Sequence, residues 1–193
     1  MDGTREETMR QFCKKTCEAD FHVKETEPYT PWSNSTEHTI CELKKGCGRK
    51  MVMSKAPKQL WDHCLELEAL IRSNVAHDIY SLNGEVPETI VSGETSDISS
   101  FCEYRWYQWV KFRDTSVSFP NNVEIFERYL GPSIDIGPAM TAKIFKINGK
   151  VVHCSTFRGL TPDDLDDPAM KKEQEEFDDA AMKKEREKFD ENI

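Results

Sequence analysis

The chain has 193 residues, of which 37% are hydrophobic and 32% are charged, and its net charge is −9. A chain of this length can bury a core without disulfides or metals to hold it together. No apolar run reaches the roughly 18 residues that a membrane-spanning helix needs. The charged opening, MDGTREETMR, lacks the apolar stretch of a secretion signal. We therefore expect an intracellular protein that makes no membrane contact.

Seven cysteines form an odd set, which favours reduced thiols buried on helix faces over a disulfide framework. The first two, Cys13 and Cys17, flank three residues rather than the two of common zinc knuckles. A zinc site that adds His22 or His38 is the alternative interpretation.

The first elements of the chain are a helix, a short strand and a turn. Met9, Phe12 and Cys13 recur at helical spacing and predict a helix from Thr4 to Asp20. The segment FHVKETEP alternates and stops at a proline, as a short strand does. The segment YTPWSN is then a turn that caps the next helix.

That next helix is expected from about Ser35 to Met53, and its sequence is unusually basic. Positions 38 to 60 hold six Lys and Arg residues against Glu42, a local charge of +5 in an acidic chain. A patch of this kind is attracted to a phosphate backbone, although a solvated helix face has the same composition. A further helix follows in KQLWDHCLELEALIRSNVAHDIY. Its apolar stripe comprises Leu60, Trp61, Cys64, Leu67, Leu70 and Ile71.

The composition changes twice after this helix. Residues 81–100 are rich in Gly, Ser, Thr and Glu and predict a linker. Residues 101–160 carry eight Lys and Arg against five Asp and Glu, with many aromatics at near alternation, so they predict a small β-domain. Asn148 and Gly149 between two strand-like runs predict a hairpin. Trp106, Tyr107 and Trp109 are expected either in the core of the β-domain or stacked on nucleic-acid bases.

The tail, residues 161–193, repeats itself. DPAMKKEQEEFD (167–178) is followed at once by DAAMKKEREKFD (179–190), identical at nine of twelve positions. Each copy keeps one Met and one Phe, so a thin apolar edge runs along a charged helix. This pattern is typical of a solvated acidic helix, and a partner-binding helix is the alternative.

Most of the chain resembles the integrase region of Copia/Gypsy-type retrotransposon polyproteins. The pattern Pro31-x-x-Asn34-x-x-Glu37 is similar to the family's third-carboxylate motif, and the Asp-Gly pair at Asp2 to the end of the strand with its second carboxylate. Between Asp2 and Glu37 lie 34 residues, close to the family's usual spacing. The likeness continues through blocks such as RWYQWVKFRD and RYLGPSIDIGPAMTAKIFKINGKVVHCSTFRGLTPDD, and covers roughly residues 2 to 164.

The resemblance implies an α+β chain in four parts. Residues 1–80 would be the C-terminal part of an RNase H-like integrase core, mostly helical with one or two strands. A linker (81–100), a small β-barrel-like domain (101–160) and an acidic helical tail (161–193) would follow.

The resemblance also implies the chemistry of two-metal strand transfer, in which carboxylates hold Mg²⁺ or Mn²⁺. Asp2 and Glu37 would be the catalytic residues and metal ligands. Lys44, Lys45, Arg49 and Lys50 would contact DNA, which places the protein in the nucleus.

The family's first catalytic Asp would lie upstream of Asp2. We therefore expect a fragment that binds metal only when the full site is assembled, that is inactive by itself, and that self-associates through its incomplete core. The alternative is a non-enzymatic DNA-binding or interaction module.

Overall fold

The computed structural model describes residues 11–12, 14–15, 35–77, 82–113, 120, 124–134, 136 and 140–190, with the backbone alone at 35, 169, 181–182 and 184–190. The chain divides into two compact units, Met1–Ile40 and Cys41–Ile193. In the first unit, residues 11–12 and 14–15 are helical, as the helix predicted over Thr4–Asp20 requires. The strand predicted at 21–28 and the turn at Pro31 lie outside the described residues.

Six helices have both of their ends within the described ranges. They are α1 (Ser35–Ser54), α2 (Trp61–Asn74), α3 (Pro87–Ser92), α4 (Ser99–Cys102), α5 (Pro162–Asp166) and α6 (Pro168–Asp190). The bounds of α1 match the predicted helix at 35–53. Pro57 stops α1 from continuing, because its ring excludes the helical conformation of the residue before it. A 3₁₀ turn, Lys58–Leu60, then leads into α2.

Two sequence predictions differ from the structure: the end of α2 and the content of the predicted linker. Helix α2 ends at Asn74, six residues before the predicted end. The side chain of Asn74 caps this end, because its Nδ2 donates to the carbonyl of Leu70 at 2.8 Å. The predicted linker at 81–100 contains the short helices α3 and α4. The chain is therefore mixed α+β, and the segment predicted as a linker adds two short helices before the sheet.

The described strands form one antiparallel sheet with the order β4-β3-β2-β1-β5. They are β1 (Trp109–Arg113), β2 (Glu124–Pro132), β3 (Ala142–Phe145), β4 (Val151–Cys154) and β5 (Phe157–Gly159). The β3–β4 turn confirms the predicted hairpin: Gly149 has φ +79° and donates its N–H to the carbonyl of Lys146 at 2.8 Å. Buried Glu127 of β2 accepts the N–H of Ile147 at 2.9 Å and holds this turn against the sheet.

The sheet is strongly curled. Strands β4 and β5 lie at opposite edges of the strand order, yet two residues, Ser155 and Thr156, connect them. In a flat sheet these edges would be about 19 Å apart, from four strand spacings of about 4.8 Å. The connection from Cys154 to Phe157 spans at most about 11 Å. The two edges must therefore bend towards each other.

Both faces of the curled sheet carry a core. On the inner face, Val110, Phe112 and Ile144 are buried together with Tyr129. On the outer face lie Trp109, Arg128 and Phe145, which occupy one row because β1 pairs Trp109 with Arg128 and β3 pairs Phe145 with Arg128. This outer core also takes in side chains from the helices and from the connection between α1 and α2: Cys47, Ala56, Leu60, Cys64, Leu67 and Phe177.

None of the helices in the described ranges combines the length and the hydropathy needed to traverse a bilayer.

Candidate nucleic-acid interface

Glu37 and Asp2 are the two carboxylates that the sequence predicts as metal ligands. Glu37 is exposed in the first turn of α1, where its charge also favours the positive end of the helix dipole. Asp2 lies outside the described residues. Across the described ranges, no group of three or more His, Cys, Asp or Glu side chains has a metal-binding arrangement. The pairing of Asp2 with Glu37 therefore remains a prediction.

Three of the four predicted DNA-contacting residues lie on the exposed side of α1. They are Lys44, Lys45 and Arg49. Lys45 is bonded to Glu42, one turn earlier, with 2.8 Å between Nζ and Oε1. This hydrogen bond raises the pKa of Lys45 above its ordinary value. Lys44 and Arg49 form no ion pair with another described residue, so their charges face solvent.

The fourth residue, Lys50, has a structural partner instead. Its ammonium group bonds to the carboxylate of Glu68 on α2, and Glu68 is 7% exposed. The two helices approach closely enough for this because position 46 is glycine: a Cβ there would lie 2.2 Å from Glu68 Oε1. Lys50 thus joins α1 to α2, and a phosphate would have to compete with a buried carboxylate for it.

A groove between α1 and α2 extends the basic surface. It has a volume of about 430 Å³ and is lined by Lys44, Cys47, Gly48, Met51, Lys58, Trp61 and Leu65. Trp61 was predicted on the apolar stripe of its helix, but its side chain is 58% exposed. It stands at the first position of α2, where the helix begins at the edge of the core. The groove therefore presents an indole ring among lysines.

Buried thiols hold the base of this groove. Cys47 Sγ donates to the carbonyl of Trp61 at 3.6 Å, and Cys64 Sγ donates to the carbonyl of Cys47 at 3.8 Å. Desolvation raises the pKa of Cys64 to about 12. A thiol with this pKa stays protonated and unreactive at neutral pH. The expectation of reduced thiols on helix faces holds for these two cysteines.

The aromatic residues of the β-domain are core residues. Trp106 and Tyr107 are buried, and Trp109 packs edge-on against Phe177 of the tail with 5.2 Å between ring centroids. These rings are therefore covered, and base stacking is not their role in this structure.

Sequence reasoning missed a Ser–His contact at one end of the sheet. Ser133 Oγ lies 2.8 Å from His153 Nδ1, beside a cavity of about 500 Å³. The cross-strand neighbour of His153 is Lys143. Lys143 is bonded to Glu66 of α2, and the described residues bring no carboxylate to His153 that would orient it as the base of a catalytic pair. The strands bring Ser133 and His153 together from positions 20 residues apart, and no sequence motif indicates it.

Comparisons of this chain with protein-family models, with curated proteins and with solved structures find no match. The structure brings together Lys44, Lys58 and Trp61, with Lys45 and Arg49 on the same helix as Lys44.

Proposed function

We propose that the chain is a nucleic-acid-binding module derived from the integrase region of a retroelement polyprotein. The observation that carries the proposal is the groove in which Lys44 and Lys58 accompany an exposed Trp61. An ammonium group contacts phosphate through charge, and an indole face stacks on a base or packs on a sugar. Charge beside an exposed aromatic ring is the combination that nucleic-acid-binding surfaces use.

Charge distribution supports the same interface. The chain is acidic as a whole, yet positions 38 to 60 carry +5. Binding through this surface releases counterions from the nucleic acid, with a slope of about −0.9 in log K per phosphate contact on duplex DNA. Contacts from Lys44, Lys45, Arg49 and Lys58 would give a slope of roughly −3 to −4.

Fluorescence anisotropy with labelled single-stranded and duplex DNA tests the proposal. We expect affinity to fall with salt, and Lys44→Glu to weaken binding and reduce the salt slope by about one or more, because it removes one phosphate contact and adds repulsion. Trp61→Ala should weaken binding by about 1–3 kcal/mol if the ring stacks on a base. Lys150→Glu, in the exposed β3–β4 turn, is the matched charge reversal and should act much less.

If Lys44→Glu and Lys150→Glu lower the affinity for DNA equally, binding depends on the overall charge of the protein and not on this groove. Binding that is insensitive to salt would contradict the proposal.

Strand transfer is the second candidate. It rests on the resemblance of Asp2 and of the Pro31 to Glu37 motif to integrases, and is favoured by the exposure of Glu37 on the helix that carries the lysines. In this proposal the helices belong to an RNase H-like core and the curled sheet is a small barrel. Asp2 and Glu37 bind Mg²⁺ or Mn²⁺ together with an aspartate from the rest of the core. In this proposal the chain works in the nucleus and associates with other copies.

A strand-transfer assay in Mg²⁺, with the chain assembled with the remaining strands of an integrase core, tests this candidate. Product should disappear with Glu37→Gln and persist with Glu42→Gln, since Glu42 bonds to Lys45 on the same helix. Product that persists with Glu37→Gln would remove Glu37 from the reaction.

A further inference from the structure

The first tail repeat is a bound helix rather than a solvated one. Met170 and Phe177 of α6 stand seven positions apart, about two helical turns, and are 1% and 2% exposed. The ring of Phe177 packs edge-on against Trp109 at 5.2 Å and against Phe145 at 5.9 Å between centroids. Phe177 is therefore buried on the outer face of the sheet, and Met170 is buried on the same helix.

An arginine orients this helix. Arg128 Nη2 donates to both carboxylate oxygens of Asp178, at 2.8 and 2.9 Å, and Arg128 Nη1 donates to the carbonyl of Tyr107 at 3.0 Å. The guanidinium lies 3.6 Å from the ring centroid of Trp109 and 4.3 Å from that of Tyr107. Tyr107, Trp109, Arg128 and Phe145 together form what we term the Arg128 surface. It binds a helix that carries Phe followed directly by Asp.

The second repeat carries the same Met, Phe and Asp at the same spacing. Met182, Phe189 and Asp190 stand twelve positions after Met170, Phe177 and Asp178. We propose that segment 179–190 is a second ligand for the Arg128 surface, which exchanges with 167–178 within the same chain. The tail thus carries two interchangeable covers for one aromatic and cationic surface.

The anchor of the tail explains why the first repeat occupies the surface in the structure. Asp164 of α5 bonds to Lys111 of β1 and to Arg158 of β5, so the tail begins at a fixed place beside the sheet. Docking of the second repeat leaves twelve more residues between this anchor and the surface. The entropy of loop closure grows slowly with length, so the longer tether disfavours the second repeat without excluding it.

Exchange within one chain is favoured over exchange between chains because the tether keeps both repeats at high effective concentration. Loss of the first repeat then leaves the Arg128 surface covered by the second. The surface opens fully when both repeats are lost.

A double-mutant cycle in the full chain tests the proposal. Phe177→Ala, Phe189→Ala and the double variant are unfolded in urea, with tryptophan fluorescence as the readout. If the repeats exchange, Phe189→Ala changes the unfolding equilibrium constant by less than twofold, because the first repeat stays docked. Phe177→Ala is buffered by the second repeat. In the double variant the unfolding equilibrium constant rises at least tenfold more than the product of the two single effects.

Additive effects would overturn the proposal, because positions 177 and 189 would then act independently. Where the double variant does not fold, the same cycle on Asp178→Asn and Asp190→Asn decides between the two outcomes. Size-exclusion chromatography with light scattering completes the test. Coupling that appears together with dimers would assign the second repeat to another copy of the chain and overturn exchange within one chain.

Discussion

Two glycines of α1, only two positions apart, have opposite roles. A Cβ at Gly46 would lie 2.2 Å from Glu68 Oε1, whereas a Cβ at Gly48 would have no neighbour within 4 Å. Alanine favours a helix interior over glycine by about 1 kcal/mol. We therefore expect Gly48→Ala to stabilise the protein by up to about 1 kcal/mol. Gly46→Ala should destabilise it, because it displaces Glu68 from Lys50 and crowds the helix contact at a cost of about 1–3 kcal/mol.

Urea denaturation of both variants measures this difference, since they share one helix and one chemical change. The double variant Gly46→Ala/Glu68→Ala is compared with these two. It removes the Glu68 side chain that a Cβ at position 46 would meet, and so it isolates the cost of that clash. Equal stabilisation by both alanines would show that Glu68 moves away without cost and that the close helix contact is not needed.

The cysteines should differ in reactivity according to burial. Cys41 and Cys102 are exposed, whereas Cys47 and Cys64 are buried, and burial raises the pKa of Cys64 to about 12. We expect iodoacetamide at neutral pH to label Cys41 and Cys102 in the folded protein and Cys47 and Cys64 only in denaturant. Mass spectrometry of the labelled peptides resolves each site. Rapid labelling of Cys64 without denaturant would contradict the buried contact between α1 and α2.

At the scale of elements, α5 is fixed to the sheet by one carboxylate. Asp164 accepts the hydrogen bonds of Arg158 and Lys111, and it completes a capping box with Thr161 at the start of the helix. These hydrogen bonds hold the pKa of Asp164 well below its ordinary value of 3.8. The bond from Arg158 lowers the pKa most, followed by those from Lys111 and the N–H of Thr161.

A carboxylate with a lowered pKa stabilises the fold above its ordinary pKa and loses that contribution as pH falls. We expect the urea midpoint of the native protein to fall with pH below about 4. Asp164→Asn should be less stable at pH 7 and should lose less on acidification, because its side chain does not titrate. Parallel pH profiles for the two proteins would show that other carboxylates carry the acid sensitivity. Asp163→Asn, on the same turn, is the matched control.

Local sequence signals predicted the elements that local forces determine. The start of α1 followed from the candidate capping residues before it, and the β3–β4 turn followed from Asn148 and Gly149. Contacts between distant residues left no such signal. Lys50 meets Glu68 from 18 positions away and Arg128 meets Asp178 from 50 positions away, because the fold brings them together. The tail repeat gave a hint, since each copy keeps Met, Phe and Asp in one spacing.

At the scale of the whole molecule, helices and sheet share one core in the unit Cys41–Ile193. The outer core joins Leu67 of α2 to Leu130 and Phe145 of the sheet and to Phe177 of α6, and it thus includes residues from both sides of the predicted linker at 81–100. Elements that share a buried core unfold together, because none retains its packing without the others. This unit should therefore behave as one cooperative body.

Leu67→Ala tests this cooperativity, since Leu67 is 6% exposed within the outer core. We expect a loss of about 2–5 kcal/mol, the usual cost of such a cavity. In a background with Trp32 and Trp61 replaced by Phe, helical circular dichroism and tryptophan fluorescence should shift by the same amount. The mutated side chain lies on a helix, while the remaining Trp106 and Trp109 belong to the β-domain. Leu165→Ala, at a residue that is 52% exposed, should leave both transitions almost unchanged. A helical transition that moves while the fluorescence transition stays in place would show that α2 and the sheet fold as separate domains.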